Sequence, residues 1–144
     1  MIEVVNRQRK LPIDVERWQG FSEKIVKVVP TTRAKSAGVT IAFVSDRAMR
    51  ELNRLWRHKR GTTDVLSFPA GQDEFETVEG STLGDVVISV EQAARQAKDN
   101  DLTFDQEIAQ LILHGLLHLC GYDHSTDNGE MNRLELQLRK KLGI

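Results

Sequence analysis

Residues 104–121, FDQEIAQLILHGLLHLCG, decide the fold. They predict a helix from Phe104 to about Leu119 that is apolar on most of its circumference, so it must sit centrally with other elements around it. Thr103 with Gln106 forms the capping-box pair that marks its start. Gly121 marks its end, because glycine readily takes the left-handed conformation that stops helices. Upstream, IEVVN (2–6) reads as a short strand, and Leu11-Pro12 opens a helix to about Val29 with Ile13, Trp18, Phe21, Ile25 and Val28 at helical spacing. GVTIAFVS (38–45) alternates and is rich in β-branched residues, hence a strand. Asp46 is the expected cap of a helix from Arg47 to about Arg57, with Met49, Leu52, Leu55 and Trp56 on its apolar side. DVLSFP (64–69) and LGDVVISV (83–90) are two more strands, a hairpin or neighbouring pair either side of the acidic loop GQDEFETVEG (71–80). Ser89 with Gln92 starts a helix near 90–99. The last segment, NGEMNRLELQLRKKLGI (128–144), places Met131, Leu134, Leu138 and Leu142 on one helical stripe, and Arg139, Lys140 and Lys141 suit its C-terminal dipole. Four strands and about five helices, mostly strands early and helices late, predict an α+β (mixed α/β) single domain: a small four-stranded sheet packed against a central buried helix.

At 144 residues and 40% hydrophobic, the chain can bury a core without staples. A formal net charge of −1 leaves no global field to steer a polyanion, so any nucleic-acid role must rest on a local basic patch. Cys120, the single cysteine, excludes an internal disulfide. The N-terminus lacks the apolar region of a signal peptide, and the longest apolar run, LILHGLLHLC, is too short for a bilayer and broken by histidines. The expectation is a cytoplasmic protein with no membrane segment.

Three of the four histidines fall at 114, 118 and 124. On a helix, His114 and His118 lie one turn apart on the same face and direct two imidazoles to one point. The reversal at Gly121 lets His124 reach the same ion, and the spacing His-x3-His-x5-His is that of the metzincin metalloproteases. Three protein ligands leave a fourth tetrahedral position open, as in catalytic rather than structural zinc sites. The expected cofactor is one Zn²⁺, although three imidazoles also accept nickel, copper or cobalt. Cys120, about 200° round the helix from His118, reads as core. Asp123 reads equally as a partner orienting a ligand histidine or as a turn residue, and Tyr122 as packing under the turn.

In HExxH proteases the residue after the first histidine is a glutamate that takes the proton from water; here it is Gly115. Ordinary peptide cleavage therefore lacks its base. Cleavage of an RNA phosphodiester tolerates that loss, since RNA carries its own 2′-hydroxyl and the main demand is neutralising charge at phosphorus. Arg47, Arg50, Arg54 and Arg57 recur at intervals of 3, 4 and 3 and form a stripe suited to phosphate, or else a solvated face paired with acids such as Glu51. Arg57, followed by His58, Lys59 and Arg60, is the strongest candidate, with Arg50, Arg54 and Arg60 as further substrate contacts. His58 reads as a surface residue, and Trp18 and Trp56 read as core rather than as base-stacking platforms.

ELNRLWR (51–57), TDVLSFP (63–69), LGDVVIS (83–89) and HGLLHLCGYDH (114–124) together resemble the YbeY family of bacterial rRNA-maturation endoribonucleases. The last segment is the most specific, with Gly115, Leu117, Gly121, Tyr122 and Asp123 beside the histidines. The resemblance implies a zinc-dependent, single-strand-specific endoribonuclease in small-subunit rRNA 3′-end maturation and ribosome quality control. It implies RNA and the ribosome as partners, with small-subunit ribosomal proteins and a ribosome-associated GTPase. It places metal ligands on His114, His118 and His124 and catalytic roles on Arg57 and His114. The RHKRG beginning at Arg57 departs from the family's pattern after its first residue, so the carry-over stops there. Asp64, Ser67 and Asp85 match family positions, the two acids as structural groups. Two rivals stand beside this reading: another metal-dependent hydrolase acting on peptides or esters, and a non-catalytic assembly factor whose metal only holds the helix and turn together.

Overall fold

The computed structural model describes residues 2–30, 38–69, 82–123 and 125–144. The expected acidic loop at 71–80 and His124 lie outside the described residues. The strands are β1 (Ile2–Asn6), β2 (Gly38–Val44), β3 (Val65–Pro69) and β4 (Thr82–Ser89); the helices are α1 (Val15–Val28), α2 (Asp46–Arg57), α3 (Val90–Asp99), α4 (Phe104–Leu119) and α5 (Glu130–Leu142). The sheet order is β1-β2-β4-β3, parallel from β1 through β4, with β3 antiparallel on the outer side of β4. This is the α+β architecture that the patterning predicts.

Side-chain alternation divides the sheet into two faces. Ile41, Phe43, Val86 and Ile88 belong to the main core, where α1 and α4 contribute Trp18, Ile25, Ile108, Ile112, Leu113, Leu116 and Leu117, all at most 2% exposed. Val44, Leu66 and Val87 belong to a smaller cluster completed by Met49 of α2. The central position of α4 follows from its composition, since a helix apolar all round loses stability wherever one side meets water.

Two helix starts differ from expectation. α1 begins at Val15 rather than Pro12, because the Asp14 carboxylate accepts the Arg17 N–H at 3.1 Å and makes Asp14 the cap. α2 is capped by Ser45, whose hydroxyl accepts the Ala48 N–H at 3.3 Å, and Asp46 is its first residue. The Asp46 carboxylate is engaged elsewhere: it accepts from the Ser89 hydroxyl at 2.6 Å and from Arg95 at 2.5 Å, tying the start of α2 to the start of α3. Burial pushes the Asp46 carboxyl up, but the hydrogen bonds from Ser89 and Arg95, the Arg95 charge and the Thr62 hydroxyl outweigh it and hold the group below its ordinary value. A carboxylate with a depressed folded pKa contributes stability above its unfolded value and loses it as pH falls through the folded one. Asp46→Asn is therefore expected to cost roughly 1 kcal/mol at neutral pH, the low end for a charged hydrogen bond because Arg95 is half exposed. In urea unfolding at stepped pH, the gap between wild type and variant should close as pH falls below 3.8, the group's ordinary value.

Candidate metal centre

Between Glu107 and Leu119 every residue of α4 is buried except Gln110, His114 and His118. They recur every four residues and so form one stripe. His114 and His118 open into a cleft of about 1040 Å³ that is also lined by Trp56, Arg57, Asp64, Ser67, Phe68, Asp85, Tyr122 and Asp123. The cleft takes residues from both faces of β3, the edge strand.

The two imidazoles meet at a ring-centroid distance of 4.6 Å with their Nε2 atoms 3.1 Å apart. Two nitrogens each ~2.0–2.1 Å from one tetrahedral zinc would lie about 3.3 Å from each other, so the pair is set close to the separation a shared ion requires. On its far side His114 faces the buried Glu135 of α5, with Nδ1 2.7 Å from Oε1. Donating Nδ1–H to that carboxylate leaves the lone pair of Nε2 directed at the cleft, the arrangement by which second partners orient metal-binding histidines. Burial pushes the Glu135 carboxyl up, yet the His114 hydrogen bond and the Arg139 charge, joined by those of His114 and His118 whenever they are protonated, hold it below its ordinary value. Arg139 donates to its other oxygen at 3.1 Å.

Glu135 escaped the sequence reading, but it left a signal. It sits among Met131, Leu134 and Leu138, an acid on the packing stripe of α5, where an unpaired charge would be costly. His124, the expected third ligand, lies outside the described residues, and among those described no three His, Cys, Asp or Glu side chains converge on one point.

The turn that leads to His124 is built as predicted around Gly121. Its φ is +98°, and the Gly121 N–H donates to the His118 carbonyl while the Tyr122 N–H donates to Leu117. This paired helix stop ends α4 where Gly121 and Tyr122 line the same cleft as the two imidazoles. Asp123 then accepts the N–H and hydroxyl of Ser125 at 3.0 and 2.6 Å, the hydrogen bonds of a turn residue. Tyr122 and Cys120 pack against the main core.

Gly115 is a packing glycine. A Cβ there would lie 2.6 Å from Val86 Cγ1, and the Gly115 carbonyl accepts the Ser67 hydroxyl at 3.2 Å. No side chain fits between α4 and the β3–β4 pair, so a glutamate base is sterically excluded from this scaffold. Gly115→Ala is expected to lower stability by about 1–3 kcal/mol through overpacking against a branched strand residue, read as a lower midpoint in thermal or urea unfolding.

The arginine stripe splits. Arg57 lines the cleft, and among the described residues its guanidinium makes no ion pair. Arg54 is held by Glu51 at 2.6 Å, and Arg47, Arg50, Arg54 and Arg60 are exposed outside the cleft lining. His58 is exposed and closes α2 at φ 55°, left-handed. Trp18 is core at 2% exposure, but Trp56 is not: it is 66% exposed and Leu55 is 50% exposed. α2 buries the line Asp46, Met49 and Asn53, which turns Leu55 and Trp56 outward. Asp64 serves the backbone, its carboxylate accepting the Val65 N–H at 2.8 Å and its carbonyl the Ser89 N–H at 2.9 Å. Asp85 is exposed at the cleft; among the described residues its carboxylate takes no hydrogen bond, and partial desolvation pushes its pKa up.

The sequence profile described as Endoribonuclease YbeY matches residues 3–143. The chain belongs to this family. YbeY relatives include one from Carboxydothermus hydrogenoformans, 41% identical over 146 residues and covering 100% of this chain and 99% of its own. One from Geobacter metallireducens is 33% identical over 144 residues, covering 99% and 94%. A third, from Myxococcus xanthus, is 48% identical over 108 residues, 74% of this chain but 37% of that longer protein. The solution structure of TM1509 from Thermotoga maritima shares the fold with a TM-score of 0.65 and 27% identity, covering 99% of this chain and 89% of that one. Membership of an endoribonuclease family makes RNA the substrate class of the chain. No helix among the described residues is long and apolar enough to cross a membrane.

Proposed function

We propose that the chain is a zinc-dependent, single-strand-specific endoribonuclease that matures the 3′ end of small-subunit rRNA in the cytoplasm and takes part in ribosome quality control, together with small-subunit ribosomal proteins and a ribosome-associated GTPase. The observation that carries the reading is the convergence of His114 Nε2 and His118 Nε2 at 3.1 Å in the same cleft as Arg57. His114, His118 and His124 would hold one Zn²⁺, which supplies positive charge to the scissile phosphate and activates the attacking oxygen. His114 is oriented by Glu135, and Arg57 brings a guanidinium to the phosphate oxygens as charge builds there. Arg50 and Arg60 are left for flanking phosphates, with Arg54 held by Glu51. The exclusion of any side chain at position 115 argues against a peptidase of the HExxH type.

The test is single-turnover cleavage of a single-stranded precursor-rRNA fragment by wild type and Arg57→Ala. The expected result is a rate reduced by on the order of 10²-fold or more with a smaller change in KM, the pattern of an interaction made mainly in the transition state. Weakened RNA binding with an unchanged rate at saturation would favour a docking role for Arg57 and a non-catalytic assembly factor.

A further inference from the structure

We infer that Trp56 is a stacking platform on which the cleft holds one unpaired base of the RNA strand whose phosphate meets Arg57. This inference rests on the reading of the cleft as an RNA site and adds to it the residue that grips the strand by a base.

An indole at 66% exposure withholds much of its apolar surface from the core, although α2 has an interior side occupied by Met49. The ring is nevertheless held in place. It meets Phe68 at 6.2 Å between centroids and 73° between planes, and Phe68 is anchored in the small cluster with Met49, Leu66 and Val87. A fixed, solvent-facing aromatic loses little freedom when a base settles on it, and stacking works with any base because every base has a π-face. Trp56 and Arg57 are consecutive, and both line the cleft that holds His114 and His118. One stretch of helix thus presents an aromatic surface and a guanidinium to the same space, the pairing that tracks a single strand by base and backbone together. The chain's net charge of −1 supplies no global attraction, so the strand must be held locally, by charged and stacking contacts together.

The experiment titrates the full-length protein with a short 2′-O-methyl oligouridine, which lacks the free 2′-hydroxyl, and with an abasic strand of the same length. Tryptophan fluorescence and Kd are read for wild type, Trp56→Phe, Trp56→Ala and Arg57→Ala. Oligouridine should quench wild-type emission, and the quench should vanish in Trp56→Phe, where Trp18 at 2% exposure is the remaining indole. Trp56→Ala should bind oligouridine about tenfold more weakly than wild type, with Trp56→Phe close to wild type. The abasic strand should bind wild type and Trp56→Ala alike and leave emission unchanged. Equal oligouridine affinity for wild type and Trp56→Ala, or a quench that survives in Trp56→Phe, would overturn the stacking role. If Arg57→Ala then still weakens both strands, the RNA reading survives alone; if neither strand binds wild type, both fall. Trp56 is exposed, so its variants test the contact rather than the fold.

Discussion

His118→Ala is expected to reduce RNA cleavage by on the order of 10³-fold or more while leaving the fold in place. The side chain is only partly buried and faces the cleft, so truncation opens a space that water can fill instead of a void in the core. What it removes is one of the two nitrogens set 3.1 Å apart, and with it the pair that would hold a cation against the phosphate. The cost should therefore match or exceed the roughly 10²–10³-fold seen when a single preorganised donor to developing negative charge is lost. The check is a single-turnover rate on a single-stranded precursor-rRNA fragment, with circular dichroism confirming the fold. A rate within a few fold of wild type would remove the imidazole pair from the chemistry.

The second large effect is expected at a residue that does not itself line the cleft. Glu135 accepts from His114 Nδ1 at 2.7 Å and is itself gripped by Arg139 at 3.1 Å. Glu135→Gln keeps the size of the side chain but removes the charge that fixes the tautomer and raises the basicity of Nε2. Zinc affinity, measured by competition with a chromogenic chelator, should fall about 10–100-fold. Arg139→Met serves as the companion variant: it leaves the His114 contact intact and should change zinc affinity far less. Equal losses from both would mean that the network supports α5 rather than the ligand.

The sequence reveals elements whose signals are local. The strands alternate, α4 is apolar round its circumference, and the Thr103–Gln106 box and the Gly121 stop are formed by residues a few positions apart. Because helical spacing alone brings His114 and His118 to one face, the site's nucleus is readable without any tertiary knowledge. Features set by long-range packing are not. Glu135 reaches His114 from 21 residues away across two elements, and its partner cannot be found from periodicity. Trp56 looks like core on a helical wheel, yet α2 buries Asp46 and Asn53 instead, because Ser89 and Arg95 satisfy the acid and Asn53 binds the Gly61 carbonyl at 3.2 Å. A polar side chain whose partners come from other elements can take an interior position from an aromatic one, and patterning by hydropathy cannot see that exchange. Gly115 is a further case: its identity is explained by the closeness of Val86 on β4, a contact invisible until the helix and sheet are docked.

The claim on which the rest depends is that His114 and His118 bind a metal ion together, and the metal content of the protein tests it most directly. Wild type, His114→Ala and His118→Ala would each be stripped with chelator, refilled with excess zinc, desalted and assayed by elemental analysis. Wild type is expected to hold close to one zinc per chain and either variant little. Full zinc retention in both variants would contradict it.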